Sequence, residues 1–322
     1  MKKLLLTLAL SLLPTAAFAQ GTDDWPKRPV WIVVPFAAGS TPDLLARSMA
    51  DKLSAKLGQQ FLIENKPGAG GMIGTDMIAK AEPDGYRIGV SITGPLVNNK
   101  LLYKKMPYDP FTDLAPLSWA VSQPCVLVAA NNFPASNLQE TLAALKSKPG
   151  AYNYASFGNG TVSHLSMELV AATSGTKIVQ VPYPGSGQAV AALLAGEVSL
   201  GCMPPGTVIP HVRAGRLKAI GVAAAKRSTI FPEIPTLAEQ GLPGVEANAW
   251  IGVVAPAKVP APLLAKISRE VIAALRDPGT VETMRKIMME VVGSTPEELA
   301  QYMQSELARW KPIVEANKIS AD

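Results

Sequence analysis

The chain is poor in the residues that most protein chemistry relies on. It has two histidines, His164 and His211, 47 positions apart, with no cysteine or carboxylate at ligand spacing beside them, which excludes the usual zinc sets. Its two cysteines, Cys125 and Cys202, are too few for a disulfide framework. Each lies in an apolar run, Cys125-Val126-Leu127-Val128 and Leu200-Gly201-Cys202-Met203, where a thiol behaves as a small hydrophobe. A bond between them stays open, because sequence alone does not fix their Cα separation. Aromatic residues make up 6% and charged residues 17%, and the lysines and arginines are scattered, so the clustered basic face of a nucleic-acid binder is missing. No G-x-x-x-x-G-K-[ST] loop and no G-x-S-x-G elbow occurs. The glycines of Gly68-Ala69-Gly70-Gly71-Met72-Ile73-Gly74 miss the dinucleotide fingerprint by one position. No apolar run reaches the roughly 20 residues that span a bilayer.

The N-terminus carries an address instead. Lys2 and Lys3, the apolar stretch Leu4 to Leu13, and Ala17-Phe18-Ala19 before Gln20 form the three parts of a secretory signal peptide, with cleavage expected after Ala19 and export to the periplasm. An uncleaved membrane anchor is the alternative, and the well-formed cleavage box weighs against it. Removing residues 1–19 leaves 303 residues and takes the formal charge from +5 to +3 as Lys2 and Lys3 depart. That length fits two domains with full cores.

Two glycine- and hydroxyl-rich turns stand out: Pro35-Phe36-Ala37-Ala38-Gly39-Ser40-Thr41-Pro42-Asp43 and Ser156-Phe157-Gly158-Asn159-Gly160-Thr161-Val162-Ser163-His164. Each lies between a strand-like and a helix-like run. The first N–H groups of a helix have no intrahelical partner and carry the positive end of its dipole, so such a turn suits a carboxylate. Glycine lets the backbone approach closely. Two turns more than a hundred residues apart suggest a ligand gripped from both sides. His164, at the start of the second helix, has the chemistry of a general base, although packing that orders the loop explains it more simply. Phe36, Trp119, Phe157, Met203 and Trp250 read as core, with those beside the turns able to wall a pocket.

Strand and helix patterns alternate along the chain. Val30 to Pro35, Leu44 to Leu57 closed by Gly58, Phe61 to Glu64, Gly74 to Ala81 and Tyr86 to Ile92 predict a parallel βαβαβ unit. A second such series follows: strands Cys125 to Ala130, Tyr152 to Ser156, Val179 to Tyr183, Val198 to Met203 and Leu217 to Ala224, with helices Leu138 to Lys148, Ser163 to Thr173 and Ala189 to Ala195. A last strand, Trp250 to Ala255, precedes helices Pro262 to Leu275, Val281 to Ile287 and Pro296 to Ala316, as if the chain returned to its first lobe. The expected lobes are 20–121 with 245–322, and 122–244.

Taken together, Val34-Pro35-Phe36-Ala37-Ala38-Gly39 with Asp43, Glu64-Asn65-Lys66-Pro67-Gly68-Ala69-Gly70-Gly71 with Ile73-Gly74, Pro83-Asp84-Gly85-Tyr86, Tyr154-Ala155-Ser156 with Gly158, Gly160 and His164-Leu165, Val181-Pro182-Tyr183, Pro210-His211 with Ala214-Gly215, Pro235-Thr236 and Ala255-Pro256-Ala257 form an ordered set. Over essentially its whole mature length the chain resembles the Bug, or TctC-like, family of extracytoplasmic solute-binding proteins. The resemblance implies an α/β type II periplasmic binding fold, with two lobes joined by two crossover strands and closing on an organic acid. It implies a monomer without catalysis or cofactor, whose partners are the large and small membrane subunits of a tripartite transporter. The ligand-binding positions it implies are Phe36, Ala38, Gly39, Ser40, Thr41, Asp43, Thr93, Gly158, Asn159, Gly160, Thr161, Ser163, His164, Met203 and Pro204. Ser40 stands where relatives usually have a second glycine, and Ser199 and Met203 stand where many carry acids. The loss at 203 removes a partner for a ligand ammonium group and favours a plain or aromatic acid over an amino acid. A ligand sensor of the same fold that presents its acid to a membrane kinase is the alternative function, and an exported hydrolase a more distant one.

Overall fold

In the computed structural model, residues 24–158, 161–183 and 185–320 are described. The expected leader, residues 1–19, and the turn residues Asn159 and Gly160 lie outside them.

The first sheet grows from the expected βαβαβ unit. Strand β1 (Val30–Val34) pairs in parallel with β2 (Phe61–Asn65) on one side and β3 (Arg87–Ile92) on the other. Helix α1 (Thr41–Leu57) connects β1 to β2 and ends where Gly58 takes φ of 68°, a left-handed stop that glycine adopts without strain. Leu45, Ala46, Met49 and Leu53 form its buried stripe, each large side chain contributing about 1.5–3 kcal/mol of apolar burial. After a 3-10 turn (Ala69–Gly71), α2 (Met72–Ala79) leads to β3. A π-helical turn (Gly94–Asn98) and the short α3 (Asn99–Leu102) follow.

The next strand was not anticipated. β4 (Leu114–Pro124) contains Pro116 and ends on Pro124, both of which argue against a central strand. It forms because β10 (Asn248–Pro256), from the far end of the chain, pairs with it antiparallel along its length. β10 also pairs antiparallel with β3, and the two-residue β11 (Glu290–Val291) completes the order β11-β4-β10-β3-β1-β2.

The chain passes straight from β4 into β5 (Val126–Ala130) of a second sheet, ordered β7-β6-β8-β5-β9. There β6 (Asn153–Ser156), β7 (Val179–Pro182) and β8 (Leu200–Met203) are mutually parallel, while β5 and β9 (Leu217–Val222) run antiparallel to their neighbours. Helices α4 (Leu138–Ser147), α5 (Val162–Ser174) and α6 (Ser186–Ala195) match expectation to within three residues. Helix α7 (Pro205–Arg213) does not. Its sequence, with Pro204, Pro205, Gly206 and Pro210, reads as loop, yet Pro205 occupies the opening position, where a missing N–H costs nothing.

Helices α8 (Ala261–Leu275), α9 (Pro278–Lys286) and α10 (Pro296–Ala316) close the chain. α9 starts three residues earlier than its apolar pattern indicated, because Asp277 caps it by accepting from Gly279 N–H. Thr295 and Glu298 form a reciprocal capping box at the start of α10. α10 belongs to both halves. Leu299 and Met303 pack with Trp250 and Val254 of the first sheet, whereas Trp310, Ile313 and Val314 pack with Tyr154 and Leu165 of the second.

Near the junction, Cys125 N–H donates to Ala247 C=O at 2.9 Å and Ala247 N–H to Ala223 C=O at 2.9 Å. Beside it Tyr302 stacks on Trp119 with centroids 3.8 Å apart, and the fully buried Glu306 carboxylate accepts from the indoles of Trp250 and Trp310. Cys125 and Cys202 are buried free thiols, so the open disulfide question resolves against a bond.

Candidate ligand site

The two turns singled out in the sequence occupy equivalent places: each follows the carboxyl end of a parallel strand and opens a helix, the usual ligand position in α/β sheets. The first is held from inside by Asp43. This residue, 1% exposed, accepts from Gly39 N–H at 2.8 Å, Arg47 Nε at 2.9 Å and Nη2 at 3.1 Å, and Asn65 Nδ2 at 3.0 Å. Burial opposes its charge, but Arg47, the Gly39 amide and Asn65 outweigh that and hold the carboxyl below its ordinary range. Asp43 therefore serves the turn and does not present its carboxylate outward. Asn65, at the end of β2, also donates to Phe36 C=O at 3.0 Å, so the neighbouring strand braces the same loop.

With that brace in place, Ala37, Ala38 and Gly39 form an exposed lip. Gly39 has φ of 80° and nothing within 4 Å of where a Cβ would stand. Phe36 lies on the inner side, its ring against Gly71 and Pro95 near Gly71's missing Cβ. At the head of α1, Thr41 and Asp43 carry N–H groups that no intrahelical acceptor precedes. Ser40 occupies the cap position but makes no side-chain cap bond, and its Oγ is buried without a partner. Thr93 is used differently: its hydroxyl is tied to Trp250 of β10, donating to the C=O at 3.3 Å and accepting from the N–H at 3.2 Å.

The second turn is wired by its own hydroxyls. Ser163 Oγ accepts from Phe157 N–H at 3.0 Å and lies 3.0 Å from Thr161 Oγ1, which donates to Gly158 C=O at 2.7 Å. Gly158 has φ of 123°, in the region that side chains avoid. With Thr161 as cap, the N–H groups of Val162 and Ser163 head α5. His164 sits behind the turn, 6% exposed, its ring 21° from parallel to Tyr154 and Nε2 4.0 Å from Glu168. Burial lowers its pKa against the pull of Glu168, which keeps the imidazole neutral near pH 7. Met203 is fully buried in the core of the second half, while the C=O of Pro204 accepts from Thr207 N–H and Oγ1 at the start of α7.

The named positions among the described residues therefore divide into two sets, each at the carboxyl edge of its own sheet. Among the described residues no group of three or more His, Cys, Asp or Glu side chains is placed to hold a metal, and no helix is long and apolar enough to cross a membrane. Sequence reasoning missed Asn65 as the brace, and it missed the buried pair Asn98 and Asn99. Two adjacent amides in the apolar stretch Gly94-Pro95-Leu96-Val97-Asn98-Asn99-Lys100-Leu101-Leu102 were the available signal.

Residues 45–319 match the family model described as "Tripartite tricarboxylate transporter family receptor". The chain belongs to this receptor family. Protein BugT of Bordetella pertussis is 35% identical over 293 residues, covering 91% of this chain and 90% of its own. Among solved structures, an R. palustris protein with adipate is 33% identical, with TM-score 0.75, over 92% of this receptor and 99% of that chain. MatC from Rhodopseudomonas palustris with bound malate is 34% identical, with TM-score 0.71, over 90% of this receptor and 100% of that chain. The family comprises periplasmic solute-binding receptors, not enzymes, which agrees with the resemblance and with the two-lobed α/β fold.

Proposed function

We propose that this receptor captures a small carboxylate between its two halves, through backbone amides at the heads of α1 and α5, and passes it to the large and small membrane subunits of a tripartite transporter. The observation that carries the reading is the pair of turns, each internally braced by a side chain and each bringing a positive-φ glycine and helix-leading N–H groups to the carboxyl end of a parallel strand. The adipate and malate in related structures support a carboxylate ligand. In this reading the leader is cleaved after Ala19 on export. The halves hinge at Pro124–Cys125 and Ala247–Asn248, close to the boundaries expected at 121/122 and 244/245.

A thermal-shift screen of mono-, di- and tricarboxylates and aromatic acids tests the ligand class, since a ligand at a hundred times its Kd stabilises by about 2.7 kcal/mol. Solution scattering with the best acid tests closure. A smaller radius of gyration on binding is expected; superimposable curves would leave the ligand in a single half or in a pre-closed pocket.

A further inference from the structure

Among the described residues, buried side-chain polar atoms without a hydrogen bond are Ser40 Oγ, Asp76 Oδ1, Asn98 Oδ1, Asn99 Nδ2 and Glu270 Oε2. Two of these have an ionic partner: Asp76 Oδ1 lies 2.7 Å from Lys80 Nζ, and Glu270 Oε2 lies 2.7 Å from Lys56 Nζ. The other three all lie in segments that leave the carboxyl ends of β1 and β3, two adjacent parallel strands: Ser40 in the first turn, Asn98 in the π-helical turn and Asn99 at the start of α3. A buried polar group left unpaired costs about 1–3 kcal/mol, so three of them leaving the same edge of one sheet point to something they bind.

The fold places this segment between the two halves. Pro95 packs beside the Phe36 ring of the first turn, and Leu96 and Val97 insert into the first-half core. Five residues after Val97, Leu102 lies in the second-half core with Cys125 and Trp310. Asn98 and Asn99, 5% and 7% exposed, stand between these anchors. A Cβ built on Gly94 would stand 3.4 Å from Asn99 Oδ1, so the Asn99 amide lies against the backbone that leaves the end of β3.

We propose that Asn98 and Asn99, with Ser40, form a neutral polar subsite at the floor of the cleft that holds a hydroxyl on the ligand, away from its carboxylate. This rests on the carboxylate-receptor reading above and narrows it to hydroxy acids. The chemistry selects a hydroxyl for two reasons. Asn98 Oδ1 needs a donor and Asn99 Nδ2 an acceptor, and a hydroxyl supplies both. Turning both amides over exchanges the roles, and a hydroxyl still fits. A second carboxylate suits the floor less well, because an ionised carboxylate has no donor to offer Asn98 Oδ1.

The test is calorimetry with three matched series of straight-chain acids: alkanoates, the corresponding ω-hydroxyalkanoates, and α,ω-dicarboxylates. At the best chain length the hydroxy acid should bind wild type at least about tenfold more tightly than its parent alkanoate, because a site built to bond a hydroxyl rejects the analogue lacking it. Asn98→Leu and Asn99→Leu should erase that preference while leaving alkanoate affinity within about threefold. Equal affinities for hydroxy acid and alkanoate in wild type, a measurement that needs no variant, would overturn the subsite and leave the carboxylate reading standing. So would a dicarboxylate that outbinds both and keeps its affinity in the two variants. Failure of all three series to bind would overturn both readings together.

Discussion

Replacing Asp43 with alanine separates a residue that builds the turn from one that touches the ligand. The substitution removes four hydrogen bonds from a carboxylate that is 1% exposed. The two from Arg47 come from a half-exposed guanidinium that water can satisfy, so they contribute roughly 0.5–1 kcal/mol. The bonds from Gly39 N–H and Asn65 Nδ2 end on a charged acceptor and are worth about 1.5 kcal/mol each or more. Loss of a negative charge from the first turn of α1 adds about 0.3–1 kcal/mol. Relief of the cost of burying the carboxylate offsets part of this. A net loss of about 3 kcal/mol follows, or about 1 M in urea midpoint at an m-value near 3 kcal/mol/M. Arg47→Ala should move the midpoint by a third of that or less. Because the Asp43 pKa is depressed in the folded state, its contribution is present above the unfolded carboxylate value of about 3.9 and fades as pH falls through the folded value. The gap between wild type and Asp43→Ala should therefore narrow from pH 7 to pH 3. Urea titrations at both pH values, with calorimetry against the best acid from the screen, measure these quantities. A midpoint shift no larger than that of Arg47→Ala, or lost binding with unchanged stability, would refute the keystone role and make Asp43 a ligand contact.

Further outcomes follow from buried titratable groups and glycines. His164→Gln should retain measurable binding. Since burial depresses the histidine pKa, the wild type should lose stability relative to this variant as pH falls below about 6.5, readable as converging urea midpoints between pH 7.5 and 5. Glu306 has the opposite sign: burial raises its carboxyl pKa, so its stabilising contribution is greatest at acid pH and declines as pH rises through the folded value. The wild type should thus lose ground to Glu306→Gln between pH 4 and 7, and a gain instead would mean that Arg309 outweighs burial. Gly39→Ala should cost about 1 kcal/mol for its positive φ, since no atom obstructs the new Cβ, and should weaken acid binding beyond that by intruding on the lip, as paired unfolding and calorimetry would show. Both thiols should stay unlabelled by a maleimide until denaturant is added, because they are buried and Cys202 holds the Cys125 thiol in its protonated form.

Local pattern carried much of the fold. Val30–Val34 is a β-branched run, Gly58 a left-handed stop, and Thr295 with Glu298 a complete capping signal, all readable within a few residues. What escaped depends on distant partners. β4 exists because β10, more than a hundred residues later, supplies its ladder despite Pro116. The two turns were legible because glycine and hydroxyl residues mark them, but the division of labour inside them was not. Ser163 and Thr161 bond each other within their own turn, whereas Thr93 bonds a strand from the chain's last third and Asp43 points inward toward Asn65, through tertiary partners that no local pattern reveals. Asn98 and Asn99 are harder still: the sequence shows two amides in an apolar stretch, but not that one polar atom of each is left without a hydrogen bond.

The position of α10 has a consequence for any attempt to divide this protein. A segment such as 122–244 expressed alone would lack Trp310, Ile313 and Val314, and would leave their socket beside Tyr154 and Leu165 open to water. Neither half is a self-sufficient module, and swapping one between relatives would require the last helix to travel with it. The same helix acts as a strut fastened at both ends. Pro312 interrupts its hydrogen-bond ladder between the Trp310 and Ile313 anchors, giving the strut a built-in point of flexure where it grips the second half. If the halves close on an acid as proposed, stiffening or softening that one turn becomes a way to tune how often the receptor stands open.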